Sequence, residues 1–341
     1  MIVKFKNYLS TPKDRLLSAI SNDGINWKRE RGIRIDVGKV GSNIIDGVFY
    51  CYVQYIDQES CNFEMYFHAS HEITQGQWHT KIMRTESVDG LKWNLDNNPV
   101  ISQGFHPLCE KRAIAPYLFK FGDVWRMYFT GVAEDGVYRI LSAISKNRKE
   151  WEIEDGARID PLNFNQVYKN QLKNYKVSGV SDTSITKLND GTYRMYFSAR
   201  GKSVFYQNIQ SAVSADGIRW EIEEGVRISP GEKGFKTLAN NPCVIPFEKG
   251  WRMYFRGADR SPLGDTIFTA YSDDGFEWDI QGISIKCNQH RLVEKHEVAF
   301  PFVLPLRDGR YRMYYMGCCG NLFDRDYINY YKKMHVKEGL L

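Results

Sequence analysis

The sequence has no paired-cysteine motif. Its seven cysteines are an odd number, and no two of them have the C-x-x-C spacing of a redox or metal site. No group of His, Cys and Asp residues has the spacing of metal ligands, so we predict no metal and no other cofactor. Several cysteines lie in strand-like segments, where Cys behaves as a small hydrophobe. This usage is typical of a reduced, cytoplasmic protein, and we expect that location.

Long apolar runs and long basic runs are also missing. The first residues, MIVKFKNYLSTPKDR, contain no apolar stretch of signal-peptide length, and no run approaches the length of a membrane span. The 46 Lys and Arg residues are interleaved with 41 Asp and Glu residues, which gives a net charge of +5. Without a basic run to follow a phosphate backbone, we predict neither a nucleic-acid nor a membrane partner. The oligomeric state stays open.

Helical periodicity is the third absence. No stretch keeps a 3.6-residue period over several turns, which disfavours helical folds. The chain is rich in aromatic residues, with 21 Tyr, 19 Phe and 8 Trp. Aromatic residues suit strands and ligand-stacking surfaces, so an all-β fold is the first expectation.

A short motif, Ser-x-Asp-Gly-x-x-Trp, recurs along the chain. Its copies are SNDGINW (21–27), SVDGLKW (87–93), SADGIRW (214–220) and SDDGFEW (272–278), with a degenerate copy SKNRKEW at 145–151. Asp-Gly favours a tight turn, and the Ser and Asp side chains can bind the amides of that turn. The Trp then begins the next strand and packs between sheets. We therefore predict a structural hairpin without a catalytic role.

A second motif alternates with the first. Its five copies are FEMYFHA (63–69), WRMYFTG (125–131), YRMYFSA (193–199), WRMYFRG (251–257) and YRMYYMG (311–317). Each alternates apolar and polar residues, as a half-buried strand does.

Together the two motifs define a four-stranded unit that is repeated five times. We predict one domain over 1–341, a five-bladed β-propeller with four antiparallel strands in each blade. The blades are expected at about 40–100, 110–160, 178–228, 236–285 and 296–335, with 10–32 completing the last blade and closing the ring. A ring without open sheet edges explains why the first copy of the hairpin motif has no unit before it.

The first strands of propeller blades line the central channel, so their leading ends converge on one pocket. Aligning the repeats places Asp46 in blade one and Asp182 in blade three, in what we expect to be equivalent slots. The other blades contribute Glu110 and Arg112, Asn240 and Asn241, and His296 and Glu297.

These repeats and leading segments resemble the five-bladed propeller glycosidases, which include arabinanases, β-xylosidases, invertases and levansucrases. The resemblance covers nearly the whole chain. In the arabinanase-like branch, blade one supplies a catalytic Asp, blade three an Asp in Asp-Pro-Ser-Val that tunes the acid, and blade four a general-acid Glu in Glu-Gly-Pro. The resemblance implies these Asp roles for Asp46 and for Asp182, which lies in Asp-Thr-Ser-Ile. Ala115-Pro116 matches the Ala-Pro of blade two.

Blade four departs from this pattern. The position two residues before Pro242 holds Asn240, and an amide cannot protonate a leaving group. Because glycoside hydrolysis needs an acid and a carboxylate in opposite protonation states, another residue must replace the acid. Glu297 is the preferred candidate, followed by His296 and Glu110.

The remaining pocket residues are expected to bind substrate. Asn240 and Asn241 suit sugar hydroxyls or free backbone groups between blades. Arg256 could reach a substrate carboxylate. Structural alternatives stay open: Asp46 as a turn residue, and Glu297 as the ion-pair partner of Lys295 or Arg112.

The sequence thus predicts a glycoside hydrolase, or a related transglycosylase or phosphorylase, acting on a small or modified glycoside or an oligosaccharide. Two alternatives stay open. The chain could be a carbohydrate-binding accessory propeller without hydrolytic activity, or a propeller enzyme that performs acid–base chemistry on a non-glycosidic substrate. A sialidase is disfavoured, since its aspartate box is one residue longer, its blades number six, and no arginine triad is evident here.

Overall fold

A computed structural model describes most of the chain as β-strands. The described residues are 14–40, 43–57, 59, 61–74, 77–162, 176–201, 206–231, 235–258, 264–288 and 290–318. Residues 10–13 and 319–335 of the predicted last blade lie outside these ranges.

The strands follow one another along the chain with short connections. The first eleven are β1 (Asp14–Ser21), β2 (Lys28–Arg29), β3 (Gly38–Val40), β4 (Asn43–Ile45), β5 (Gly47–Tyr55), β6 (Phe63–Thr74), β7 (Gln77–Ser87), β8 (Asn94–Ser102), β9 (Arg112–Phe121), β10 (Val124–Val132) and β11 (Tyr138–Ser145). The later strands are β12 (Glu152–Ile153), β13 (Gly179–Lys187), β14 (Tyr193–Arg200), β15 (Gln207–Ser214), β16 (Glu221–Ile222), β17 (Leu238–Phe247), β18 (Gly250–Ala258), β19 (Thr266–Ser272), β20 (Asp279–Ile285), β21 (Glu297–Pro305) and β22 (Tyr311–Cys318). Two 3₁₀ helices, Pro107–Cys109 and Leu292–Glu294, precede β9 and β21.

Antiparallel pairing groups these strands in fours. Sheet A contains β5–β8, sheet B β9–β12, sheet C β13–β16 and sheet D β17–β20. Sheet E is discontinuous in sequence, because its order is β21-β22-β1-β2. One parallel bridge, between Gln207 and Leu238, joins the edges of sheets C and D. Strands β3 and β4 form a separate hairpin.

The Ser-x-Asp-Gly-x-x-Trp segments form the predicted self-bonded turns. In the second copy the Ser87 hydroxyl accepts the N–H of Gly90 at 2.9 Å, and Asp89 Oδ1 accepts the N–H groups of Leu91 and Lys92 at 2.7 and 2.8 Å. The other copies repeat these contacts. The motif therefore forms a structural hairpin, as predicted, and its Ser and Asp side chains bind the amides of the turn.

Each motif Trp packs edge-to-face against the Tyr of an M-Y-F strand in a neighbouring sheet. Trp278 and Tyr196 illustrate the contact, with ring centroids 5.6 Å apart. The same Tyr donates its hydroxyl to the Gly275 carbonyl of that turn at 2.6 Å. Equivalent bonds run from Tyr66 to Arg148, Tyr128 to Gly217, Tyr254 to Gly24 and Tyr314 to Gly90. The sheets are thus joined by one repeated contact.

Removing one of these hydroxyls should weaken the joint between two sheets. Tyr196 is fully buried, so Tyr196→Phe leaves the Gly275 carbonyl without its donor and should cost about 1–2 kcal/mol of unfolding free energy. Urea unfolding measures this loss. Tyr271→Phe, which removes a hydroxyl bonded to Asp273 at an exposed position, is the control and should change stability by less than about 0.5 kcal/mol. Equal effects of the two substitutions would contradict the prediction.

Candidate active site

The pairing of each first strand with its second strand shows which predicted residues occupy equivalent positions in different sheets. The Asp46 N–H donates to the Ser70 carbonyl, and the Ser178 N–H donates to the carbonyl of Arg200. Ser70 and Arg200 are equivalent, because each lies three residues after the M-Y-F phenylalanine. Asp46 is therefore equivalent to Ser178, four positions before the slot of Asp182. The expectation that Asp46 and Asp182 occupy equivalent slots is wrong.

The residue that does match Asp182 is Tyr50. Each first strand contains a bulge at this level, where the pairing with the second strand shifts register. Four residues at the bulges have left-handed backbones without being glycine: Ala115 (φ 55°), Asp182 (φ 63°), Asn241 (φ 55°) and Phe300 (φ 53°). Such conformations cost about 1–3 kcal/mol and persist where the surroundings enforce them, commonly at functional sites.

Neighbouring sheets hold these bulges in place. The Asp182 N–H donates to Thr130 Oγ1 at 3.3 Å, and the Asn241 N–H donates to Ser198 Oγ at 2.9 Å. Both hydroxyls belong to the residue that follows M-Y-F in the preceding sheet. Side chains from separate sheets are thereby fixed around one centre.

Asp182 lies at this centre in a buried polar cluster. Its Oδ2 accepts a hydrogen bond from Asn241 Nδ2 at 2.8 Å, and both residues are at most 5% exposed. The Tyr50 phenol lies beside them, where burial and the charge of Asp182 raise its pKa well above the ordinary value. Within the described residues, the Tyr50 hydroxyl makes no hydrogen bond of ordinary geometry.

Glu297 forms a second acidic centre at the start of β21. Arg256 Nη2 lies 2.9 Å from Glu297 Oε1, and the same guanidinium binds Asp265. Burial raises the pKa of Glu297 well above its ordinary value; Arg256 opposes this shift, and the nearby negative charges of Asp265 and Asp14 add to it. Among the described carboxyl groups, Glu297 is therefore the one whose surroundings most favour the protonated form. Its ion-pair partner is Arg256, not the Lys295 or Arg112 considered from the sequence.

Aromatic rings connect the two acidic centres. Phe300 lies 4.6 Å from Tyr50 and 6.1 Å from Phe49 between ring centroids, and the Arg256 guanidinium lies 6.0 Å from the Phe300 ring. Phe49 in turn stacks on His68 at 4.9 Å. Burial, with a smaller effect of Arg112, lowers the pKa of His68 to about 3, so the imidazole is neutral.

Asp46 lies nearer the leading end of sheet A. Its Oδ2 is 2.8 Å from His71 Nδ1 and accepts the Glu72 N–H at 3.0 Å. The Asp46 and His71 side chains are both about a quarter exposed. This carboxylate is thus open to water, unlike that of Asp182.

The other predicted residues differ in burial. Glu110 is exposed at the end of the Pro107–Cys109 helix. Asn240 is buried and donates from Nδ2 to Gln207 Oε1 at 2.9 Å. His296 is also buried, and burial lowers its pKa, with Lys295 adding to the shift. Arg112 begins β9 close to His68.

Five residues of the site were missed from the sequence: the rings Phe49 and Phe300, and Tyr50, His68 and Asp265. A signal existed for His68, Tyr50 and Phe300, the last of which lies at the same bulge level as Tyr50. His68 occupies the variable position after M-Y-F, and Tyr50 falls at the bulge level once the five second strands are aligned with their partners. Asp265 follows a segment without a repeat motif, and nothing in the sequence indicated it.

The described residues include no group of three or more His, Cys, Asp or Glu side chains able to hold a metal ion. In the same part of the chain, no helix combines the length and apolarity needed to cross a membrane.

No family model and no curated protein matches the chain. Solved structures do share its fold. A glycosyl hydrolase from Bacteroides ovatus superposes with a TM-score of 0.60 at 16% identity, over 80% of this chain and 83% of that one. A thermostable family-43 glycoside hydrolase gives 0.61 at 14% identity, over 80% and 88%. The β-1,2-mannobiose phosphorylase from Listeria innocua gives 0.62 at 13% identity, over 88% and 96%. At these identities the likeness shows the fold alone, an all-β fold of the kind found in propeller-type glycoside hydrolases and phosphorylases.

Proposed function

We propose that the chain is a single five-bladed β-propeller whose central site acts on a small or modified glycoside. The repeated tyrosine bonds support the architecture, because they run from sheet A to B, B to C, C to D, D to E and E to A. A cycle of five contacts suits a ring of five blades in which β1 and β2 complete the last one.

The proposed chemistry uses three carboxyl groups. Glu297 donates its proton to the glycosidic oxygen as the bond to the anomeric carbon breaks. The Asp182 carboxylate faces the positive charge that develops on the sugar ring. Asp46, which is open to water, takes a proton from the attacking water molecule, whose oxygen bonds to the anomeric carbon.

One observation carries this proposal: Glu297 and Asp182 have different partners. Burial favours the protonated form of Glu297, whereas Asp182 Oδ2 accepts a hydrogen bond from Asn241 Nδ2. Pairs of carboxyl groups held in different protonation states are the usual requirement of glycoside hydrolysis.

A second candidate function rests on Arg256. Its guanidinium lies 2.9 Å from Glu297, and a cation at that distance favours the ionised carboxylate. If the ion pair persists when a sugar is bound, the proton is absent, and the chain binds carbohydrate without cleaving it. The alternative that the chain is a propeller enzyme acting on a non-glycosidic substrate stays a prediction. The cytoplasmic location also stays a prediction.

A substrate screen separates the two functions. Purified protein is incubated with 4-nitrophenyl α- and β-glycosides of neutral pentoses and hexoses, with and without inorganic phosphate. We expect release of nitrophenol, and a loss of at least about 10²-fold in kcat/KM for Asp182→Asn and Asp46→Asn.

Asp190→Asn is the matched control, since this aspartate lies in an exposed hairpin turn of sheet C. It should behave as wild type. Sugar binding by calorimetry without any turnover would favour the binding protein. Turnover that survives in Asp46→Asn would remove Asp46 from the mechanism while leaving Asp182 and Glu297 in place.

A further inference from the structure

The central site combines exposed ring surface with buried polar atoms that have no partner. Phe49 and Phe300 are partly exposed. Around them lie the Tyr50 hydroxyl, His68 Nε2 and Asn241 Oδ1, none of which makes a hydrogen bond of ordinary geometry among the described residues, although the Tyr50 phenol lies near Asp182 and Asn241. Their residues are only 8%, 8% and 1% exposed. Buried polar atoms in native proteins are nearly always paired, so three in one place indicate a site completed by a ligand.

The position of His68 strengthens this reading. In sheets B and C the equivalent residues, Thr130 and Ser198, use their hydroxyls to hold the bulge of the next strand. His68 instead stacks on Phe49 at 4.9 Å with the ring planes 26° apart. The position that joins sheet B to C and sheet C to D is occupied in sheet A by a ring that packs against Phe49, and His68 Nε2 is left without a partner of ordinary geometry.

The charges of the site point to the class of ligand. The Arg256 guanidinium is already bound by Asp265 and Glu297. These two carboxyl groups offset its positive charge, so it is a poor receptor for a substrate carboxylate. His68 is neutral because burial lowers its pKa to about 3. Asp182 adds a buried carboxyl group. An acidic sugar would bring its own negative charge beside that buried group, whereas a neutral one would meet donors and acceptors.

From these observations we infer that Tyr50 and His68 are specificity-determining residues for a neutral sugar ring, which packs one face on Phe300 and Phe49. The Tyr50 hydroxyl donates to a ring hydroxyl or ring oxygen, and Asn241 Oδ1 accepts from a neighbouring hydroxyl. His68 Nε2 binds a third hydroxyl. This inference rests on the proposed function, since it identifies the substrate class of the same site.

Binding is tested apart from turnover. Calorimetric titration of the full chain uses D-glucose, D-mannose, D-xylose and L-arabinose as neutral probes, and D-glucuronate and D-glucose 6-phosphate as acidic ones. We expect a neutral probe to bind more tightly than either acidic one. Tyr50→Phe and His68→Ser should each weaken its binding about tenfold, because each removes one hydrogen bond to the sugar.

Phe300→Asn tests the aromatic face. Asparagine tolerates the left-handed backbone but has no ring, so binding should weaken about tenfold or more. Should this variant fail to fold, the Tyr50 and His68 variants still decide the matter. Stronger binding of the acidic probes, or unchanged binding in both variants, would overturn the inference. Neutral binding without turnover would instead leave it standing and refute the proposed hydrolysis.

Discussion

Replacing Glu297 with glutamine should lower kcat/KM for an aryl glycoside by about 10³-fold, the usual contribution of a general acid. Glutamine keeps the size of the side chain and can still bond to Arg256, but it has no proton to give to the leaving oxygen. Substrates with a good leaving group need less protonation, so the loss should be smaller for 2,4-dinitrophenyl than for phenyl glycosides.

The pH profile distinguishes a lost acid from a disturbed fold. Because the folded protein raises the pKa of Glu297, wild-type activity should fall on the alkaline side as this proton is lost, and Glu297→Gln should lack that decline. Stability follows the same sign. The folded state binds the proton more tightly than the unfolded chain, so the stabilising contribution is complete in acid and is lost as pH rises through the raised pKa.

Glu277→Gln is the matched control, since this carboxyl is exposed in the hairpin turn of sheet D. Its profile should follow the wild type. If Glu297→Gln keeps both the activity and the alkaline decline, Glu297 is not the acid, and the next candidates are His296 and Glu110.

The second large effect concerns Arg148, which replaces the glycine of the hairpin motif. Restoring that glycine relieves a left-handed backbone of φ 63°, which favours folding by about 1 kcal/mol. Yet Arg148 Nη1 lies 2.8 Å from Oε1 of Glu64, a carboxylate with 0% exposure. Losing a partner of a buried charge costs about 3–5 kcal/mol. Since Arg84 still binds Glu64 at 2.8 Å, we expect Arg148→Gly to lose about 2 kcal/mol net.

Chemical unfolding of a double variant tests the cause. In Glu64→Gln with Arg148→Gly, the buried amide needs no second cation, so most of the stability should return. In the other four repeats the position of Glu64 holds an arginine, and the turn that faces it holds a glycine. The pair of Glu64 and Arg148 therefore replaces the usual pair of arginine and glycine. A stabilising effect of Arg148→Gly alone would show that backbone strain outweighs the ion pair.

The sequence predicted the strands and turns well because both repeat motifs determine their structure locally. Ser87 and Asp89 bind amides within five residues of themselves, so no distant contact is needed to specify the turn. The M-Y-F segments are strands as predicted, but the expectation that they are half-buried is wrong. Consecutive residues of these strands are buried on both faces, because each strand lies inside its sheet and is packed between neighbouring sheets.

The site was harder to predict, because a bulge changes register without an obvious mark in the sequence. Tyr52 and Ser184 are equivalent, because each pairs with the tyrosine of an M-Y-F strand. Tyr50, two residues before Tyr52, is therefore equivalent to Asp182, whereas matching acidic residues selected Asp46. The partners of Glu297 could not be inferred from the sequence either, because Arg256 and Asp265 reach it from another sheet. Pairings across sheets depend on how the sheets are arranged and not on local pattern.

The discontinuity of sheet E has a consequence for the order of folding. Strand β1 pairs locally with β2, but its other edge must wait for β22, almost 300 residues later. Such distant pairing is slow to form. Sheets A to D can assemble during synthesis and bring Asp182 beside Asn241, whereas Glu297 is carried on the sheet that closes last. The proposed acid is therefore installed only when the two ends of the described chain meet, so a truncated or half-folded chain would hold the sugar-facing groups without the group that delivers the proton.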